Sequence, residues 1–159
     1  MIDKDTFCRL IRQNEKAMYS VAFSIVSNES DAADAISESI YRAYKNIDTL
    51  KNINSFKPWI LRIVRNTSIE LVRSCAKQIS IDDIEIETDN NENRLITALT
   101  LKKAVENLKQ PYKTVVVLYY FQDLSIAQIS KITGTSVVTA KQQLSRARHM
   151  LRDMLVETF

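Results

Sequence analysis

The sequence predicts an all-α protein: two small helical bundles joined by an acidic linker. Three observations carry that reading. The 159 residues include one glycine and two prolines, too few for the many tight turns of a β-sandwich or barrel. Apolar residues recur at steps of three and four along most of the chain, the period of a half-buried helix. Charge is partitioned as well: residues 1–74 are net +2, residues 75–93 net −5 and residues 94–159 net +6. The middle stretch sets Asp82, Asp83, Glu85, Glu87, Asp89 and Glu92 against Lys77. It reads as a tether between an N-terminal domain (1–74) and a C-terminal domain (94–159). So polar a linker is expected to let the bundles take different relative positions.

Composition removes several function classes. With 45% hydrophobic and 26% charged residues, the chain is globular rather than disordered. No apolar run nears the roughly 18 residues of a membrane span, and the acidic start Met1-Ile2-Asp3-Lys4-Asp5 has no signal-peptide core. Cys8 and Cys75 form no CxxC pair, so neither a disulfide scaffold nor a cysteine zinc site is expected, and the expected setting is a reducing cytoplasm. His149 is the single histidine. A His-based metal site or triad is therefore not expected, nor is a cofactor or a small-molecule substrate. Asp31, Asp34 and Glu38 are the densest carboxylate set; without a histidine partner they read as a surface, not as an enzyme's acid and base.

In the N-terminal half, Phe7, Leu10, Ile11, Met18, Val21, Ala22 and Ile25 form one stripe, predicting a helix from about Thr6 to Val26. Ser30 can cap the next helix, with Asp31 and Asp34 in its first turn, where the dipole favours anions. Its buried face is expected at Ala33, Ile36, Ile40, Ala43, Tyr44 and Ile47, and its outer face at Asp34, Ser37, Glu38 and Arg42. Residues 48–54 read as a loop. Ser55 can cap a third helix that tolerates Pro58 in its first turn, with Trp59, Ile60, Ile63, Val64 and Leu71 toward the core and Lys57, Arg62, Arg65 and Arg73 outside it.

The C-terminal half begins with a helical stretch, Arg94 to Leu108. Pro111 then suits a helix start, before an apolar segment containing Val115-Val116-Val117 whose helix-or-strand state the pattern leaves open. Ser125 and Gln128 have the spacing of a capping box. Ile126, Ile129 and Ile132 mark a short helix, Gly134 falls where a left-handed residue closes it, and Ser136 can cap the last helix. There Val137, Ala140, Leu144, Ala147, Leu151 and Met154 form the core stripe. A short helix, a glycine turn and a longer helix make a helix-turn-helix. Its second helix offers Thr139, Lys141, Gln142, Gln143, Ser145, Arg146, Arg148 and Arg152, of which Lys141, Ser145, Arg148 and Arg152 share a face. Glutamine can pair with adenine and arginine with guanine in a major groove, and basic residues farther along can hold phosphates.

Four stretches together resemble the extracytoplasmic-function (ECF) group of the sigma-70 family of bacterial sigma factors. Residues 31–44, DAADAISESIYRAY, resemble that family's acidic helix. Residues 56–66, FKPWILRIVRN, resemble its promoter-melting helix. Residues 108–113, LKQPYK, and 139–148, TAKQQLSRAR, open and close its fourth region. The resemblance implies docking on core RNA polymerase through Asp34, Ser37, Glu38 and Arg42. It implies melting of a promoter hexamer with Phe56, Lys57, Arg62, Arg65 and Asn66 on the single strand, and reading of the distal hexamer as duplex by Thr139, Lys141, Gln142, Gln143, Arg146 and Arg148. It also implies control by a cognate anti-sigma protein, often membrane-bound. Trp59 can either pack in the core or stack on a base. This chain departs from the family's pattern at Ser37 (usually Gln), Ser130 (Ala), Thr135 (apolar), Val138 (Gly) and Ala140 (Val). Gln142-Gln143 stands in place of Ser-Arg, which points to an altered distal preference. The competing reading is a stand-alone helix-turn-helix repressor or activator.

Overall fold

The computed structural model describes residues 2–78 and 97–158, which form eight α-helices and no strand. In the N-terminal half these are α1 (Lys4–Gln13), α2 (Glu15–Val26), α3 (Glu29–Lys45) and α4 (Phe56–Gln78); in the C-terminal half, α5 (Thr97–Glu106), α6 (Tyr112–Val116), α7 (Ile126–Thr133) and α8 (Val137–Thr158). Residues 79–96, most of the expected tether, lie outside the described residues. So do the first three residues of the expected C-terminal domain. α4 runs four residues past the expected boundary at 74.

The expected first helix is two. The stripe from Phe7 to Ile25 continues in register, but the chain breaks at Asn14, whose side chain donates to the Leu10 carbonyl at 2.8 Å and whose backbone has left the helical region. A side-chain amide that satisfies a helix-end carbonyl competes with the next turn, and no periodicity count detects it. Asn28, not Ser30, caps α3: its Oδ1 accepts from the Asp31 amide at 2.8 Å. The buried face of α3 is also rotated from the expected one. Ala32, Ala35, Ser39 and Ala43 are buried, Ile36 and Ile40 only half so, and Ala33 and Tyr44 are exposed. Small side chains let α3 lie close against α2 and α4, so contact distance rather than hydrophobicity sets which face turns inward. Residues 47–55 hold two one-turn 3₁₀ helices, Ile47–Thr49 and Ile53–Ser55, rather than a plain loop.

The Val115–Val117 run is helical and passes into a π-turn over Val117–Phe121, where the Gln122 amide reaches back to the Val117 carbonyl at 3.1 Å. That turn leaves Tyr120 and Phe121 about half exposed while Val115 and Leu118 are fully buried.

The two halves close on each other. α4 packs on α7, and α2 on α6 and the π-turn. The buried set is continuous from Phe7, Ile60 and Leu61 to Ile129, Ile132 and Leu144. Lys57 Nζ donates to the Gln122 carbonyl at 3.0 Å, and Gln110 Nε2 donates to the Ser24 carbonyl at 2.8 Å. Leu61, one turn on from Lys57 and fully buried, was not among the expected core residues; it belongs to the buried set that spans both halves.

Lys113 is buried among the apolar residues of α6, and the loss of water lowers its pKa despite an opposing pull from Glu106. The unfolded chain therefore holds this proton to higher pH than the fold does. Stability should rise with pH from the folded value up to the ordinary lysine value near 10.5, and flatten once both states are neutral. Lys113→Met should raise stability by about 1 kcal/mol at neutral pH and abolish that alkaline rise. Urea titrations between neutral and alkaline pH check both; a destabilised Lys113→Met chain would contradict them.

Candidate nucleic-acid interface

The helix-turn-helix is built by local capping. Ser125 Oγ accepts from the Gln128 amide at 3.2 Å while Gln128 Oε1 accepts from the Ser125 amide at 3.0 Å, so α7 opens with a complete capping box. It closes at Gly134, whose φ is +70°; a Cβ there meets nothing within 4 Å, so the backbone angle rather than space calls for glycine. Ser136 Oγ then accepts from the Thr139 amide at 3.0 Å and opens α8. With the turn held by these bonds, Ala140, Leu144 and Ala147 face the core, and the opposite side of α8 is left to solvent.

The expected recognition residues divide. Lys141, Gln142 and Arg146 are exposed and free to meet a duplex. Thr139 is half-buried, its hydroxyl accepting from Ser136 Oγ at 2.9 Å. Gln143 is half-buried, with Oε1 fully covered and lacking a hydrogen-bond partner. It sits on the flank of α8, not on its outer row. Arg148 is exposed but engaged within the chain: Nε donates to Tyr120 Oη, and the guanidinium lies 5.5 and 5.6 Å from the Tyr119 and Tyr120 ring centres. That tyrosine pair holds its guanidinium against the π-turn.

On α4 the expected single-strand residues also separate. Phe56 is 2% exposed, packed on Phe7 and Trp59; it supports the helix and has no face for a base. Lys57 is held by Gln122. Arg62 and Asn66 are exposed, and Arg65 is half-buried with Nη1 donating to Asn66 Oδ1 at 3.2 Å. Burial, Arg73 and Arg62 together push the Arg65 pKa down. Arg65 thus lies in the field of two other guanidiniums, which makes this side of α4 a basic patch. Arg73, placed only on the outside of the helix from sequence, belongs to this patch. Trp59 is half-buried, with Nε1 donating to Thr49 Oγ1 at 3.2 Å and its ring tilted on Phe56 at 5.6 Å.

The acidic face of α3 presents Asp34, Ser37 and Glu38 to solvent. Arg42 is instead a brace between helices: Nε meets Glu38 Oε1 at 3.1 Å, and Nη1 meets Glu70 Oε2 of α4 at 2.7 Å. Those bonds raise its pKa, with Glu70 the larger cause. Glu70, which sequence reading missed, extends the acidic rim across the shallow cleft between α3 and α4.

A capped helix-turn-helix on one bundle and an arginine cluster on another define a two-part, helical, nucleic-acid-binding protein. The sigma-70 region 2 family model matches residues 10–78, and the sigma-70 region 4 model matches residues 98–151. RNA polymerase sigma factor SigV of Bacillus subtilis (strain 168) is 32% identical over 148 residues, covering 92% of this chain and 89% of that protein. ECF RNA polymerase sigma factor SigW of the same strain is 26% identical over 169 residues, covering 96% and 90%. The sigma factor RpoE of Bartonella quintana, solved in complex with the anti-sigma factor NepR, superposes with a TM-score of 0.74 at 22% identity, covering 96% of this chain and 98% of that one. CnrH, solved in complex with the cytosolic domain of CnrY, has a TM-score of 0.71 at 20% identity, covering 98% and 90%. The chain belongs to the ECF group of the sigma-70 family of RNA polymerase sigma factors and directs promoter-specific transcription initiation. The stand-alone repressor reading is not favoured, because its N-terminal half is accounted for by region 2. Among the described residues no helix is long and apolar enough to cross a membrane.

Proposed function

We propose a residue-level division of labour for this sigma factor. Asp34, Ser37 and Glu38 meet basic groups on core RNA polymerase, with Arg42 bracing the helix that carries them. Arg62, Arg65, Asn66 and Arg73, joined by Lys57 once it is released, hold the melted promoter strand. Lys141, Gln142 and Arg146 meet the distal hexamer as duplex. The protein brings no reaction of its own, since phosphodiester synthesis belongs to the core enzyme, and it works in the cytoplasm where that enzyme is. The observation that carries this reading is the presence on one chain of two separate sets of basic side chains, Arg62, Arg65 and Arg73 on α4 and Lys141 and Arg146 on the exposed side of α8.

Lys57 is tied to Gln122, and Arg65 is half-buried. The single-strand face is therefore partly spent on the chain itself, and its use requires the halves to part. An apolar groove of about 770 Å³, lined by Tyr19 and Phe23 of α2 and by Leu101, Val105 and Phe121 of the C-terminal half, offers an anti-sigma partner a place to hold them together. The RpoE and CnrH structures, each carrying a bound protein, support that part of the reading.

Transcription reconstituted from purified core polymerase on genomic promoter fragments tests the whole. Discrete transcripts are expected only when this chain is added; no chain-dependent transcript and no core binding would overturn it. A charge reversal tests the docking face. Asp34→Lys with Glu38→Lys changes exposed side chains and removes only the exposed Glu38–Arg42 contact, worth under about 1 kcal/mol, while Glu70 still holds Arg42; the fold should therefore hold, while association with core should slow about tenfold at low salt and less near 0.15 M, because surface charges act mainly on encounter. Stopped-flow association at two salt concentrations measures this; an unchanged rate would move docking elsewhere.

A further inference from the structure

The outermost row of α8 is not basic. Val138, Gln142, Ser145 and His149 recur at steps of four, three and four, opposite the core positions Ala140, Leu144 and Ala147, and all four are exposed. Lys141 and Arg146 flank this row on its two sides. At the N-terminal end of the helix, the end that enters a major groove in this motif, the row begins with a valine that is 64% exposed. Burying an isopropyl group normally stabilises a fold; here the described residues leave it mostly open. One turn later comes Gln142, an exposed carboxamide with no hydrogen bond among the described residues. An apolar group and an amide, side by side and facing outward, match two features that occur together only in the major groove at A·T pairs. The thymine C5-methyl is apolar, and adenine N7 and N6 accept and donate in the spacing of a carboxamide.

We infer that Val138 and Gln142 set the distal promoter preference of this sigma factor, Gln142 by pairing with an adenine and Val138 by contact with a thymine methyl. This rests on the proposed assignment of α8 to the distal duplex. Four residues of helix advance about 6 Å and a base pair about 3.4 Å, so the thymine lies within about two base pairs of the adenine. Lys141 and Arg146, on either side, hold phosphates and add affinity without sequence preference. Gln143, with its carbonyl oxygen covered, does not read bases, so Gln143→Arg is expected to strengthen binding to all sequences rather than to change the preferred one.

The test uses the full chain with purified core polymerase on promoters randomised through the distal hexamer, reading the transcripts by sequencing. An adenine and a thymine within two positions of it should be enriched. In the enriched promoter, 7-deazaadenine at that adenine removes the N7 acceptor and should lower transcription roughly 5- to 150-fold, the range of one good bidentate contact. Deoxyuridine at the thymine removes one methyl and should lower it about three- to fourfold. Both side chains are exposed, so Gln142→Ala and Val138→Ala keep the fold, and each should erase the penalty for its own base analogue while leaving the other penalty in place. Chain-dependent transcription with no A or T enrichment, or analogue penalties that survive the matching substitution, would overturn this inference and leave the sigma reading intact. Absence of any chain-dependent transcript would overturn the reading beneath it.

Discussion

Phe56→Ala should cost the protein about 3–5 kcal/mol, the usual loss for deleting a fully buried aromatic ring, and lower the melting temperature by roughly 6–20 °C at this chain length. Phe56 is 2% exposed; its ring stands edge-on to Phe7 at 6.3 Å and 82°, and tilted to Trp59 at 5.6 Å and 47°. It is the first residue of α4, following the 3₁₀ turn Ile53–Ser55, so it fixes where that helix leaves the loop and hence where Arg62 and Arg65 point. The two aromatic contacts add to the area term and make the site hard to refill. Phe56→Leu keeps most of the volume and should lose well under half as much. Urea and thermal unfolding of both variants measure this. Were Phe56→Ala within about 0.5 kcal/mol of the parent, the range of an ordinary surface change, and single-strand DNA binding sharply reduced, the ring would be a base contact after all.

The residues that proved legible in the sequence are those whose role is decided within one or two turns of chain. The Ser125–Gln128 capping box, Gly134 in the left-handed region and Ser136 at the start of α8 all stand as the spacing predicts, because each is a bond between near neighbours that no distant packing can outvote. The core stripe of α8 followed for the same reason at Ala140, Leu144 and Ala147, though its first member, Val137, is exposed. Two failures were local, the break at Asn14 and the cap at Asn28 in place of Ser30; the others were decided at a distance. α3 turned its alanines and a serine inward because two other helices needed to come close. Arg148 and Gln143 share a helix with Gln142, yet one is drawn to Tyr120 and the other is half-covered on the flank. From periodicity alone, a charged or amide residue off the core stripe looks free; what holds it comes from another element. The closure of the two halves lies furthest from anything local. The acidic stretch between them reads as a spacer, and a spacer says how far apart domains can be, not whether their apolar faces match. Leu61, apolar and off the expected stripe of α4, is buried in the set the two halves share.

Locking the two halves together should silence the protein. Lys57 Nζ lies 3.0 Å from the Gln122 backbone carbonyl, so cysteines at these two positions, in a background with Cys8 and Cys75 changed to serine, lie about one lysine side chain apart, within reach of a short cross-linker. Joined by a short, reductant-cleavable bis-maleimide, they hold α4 against the C-terminal half. A partner that binds only the open form sees its apparent affinity fall in proportion to the open fraction. If about nine chains in ten are cross-linked, core-dependent transcription should therefore drop about tenfold, and reductant should restore it. Using one chain before and after cleavage removes the confusion that Lys57 is itself a proposed strand contact, since the lysine is missing in both arms. Binding of a distal-hexamer duplex to the locked chain gives the second readout. Because the outer row of α8 is exposed in the closed arrangement, duplex affinity should change less than twofold on cross-linking while transcription falls. If transcription proceeds equally well in the locked state, the closed arrangement is compatible with promoter opening, and the covered face of α4 is not the one that holds the strand.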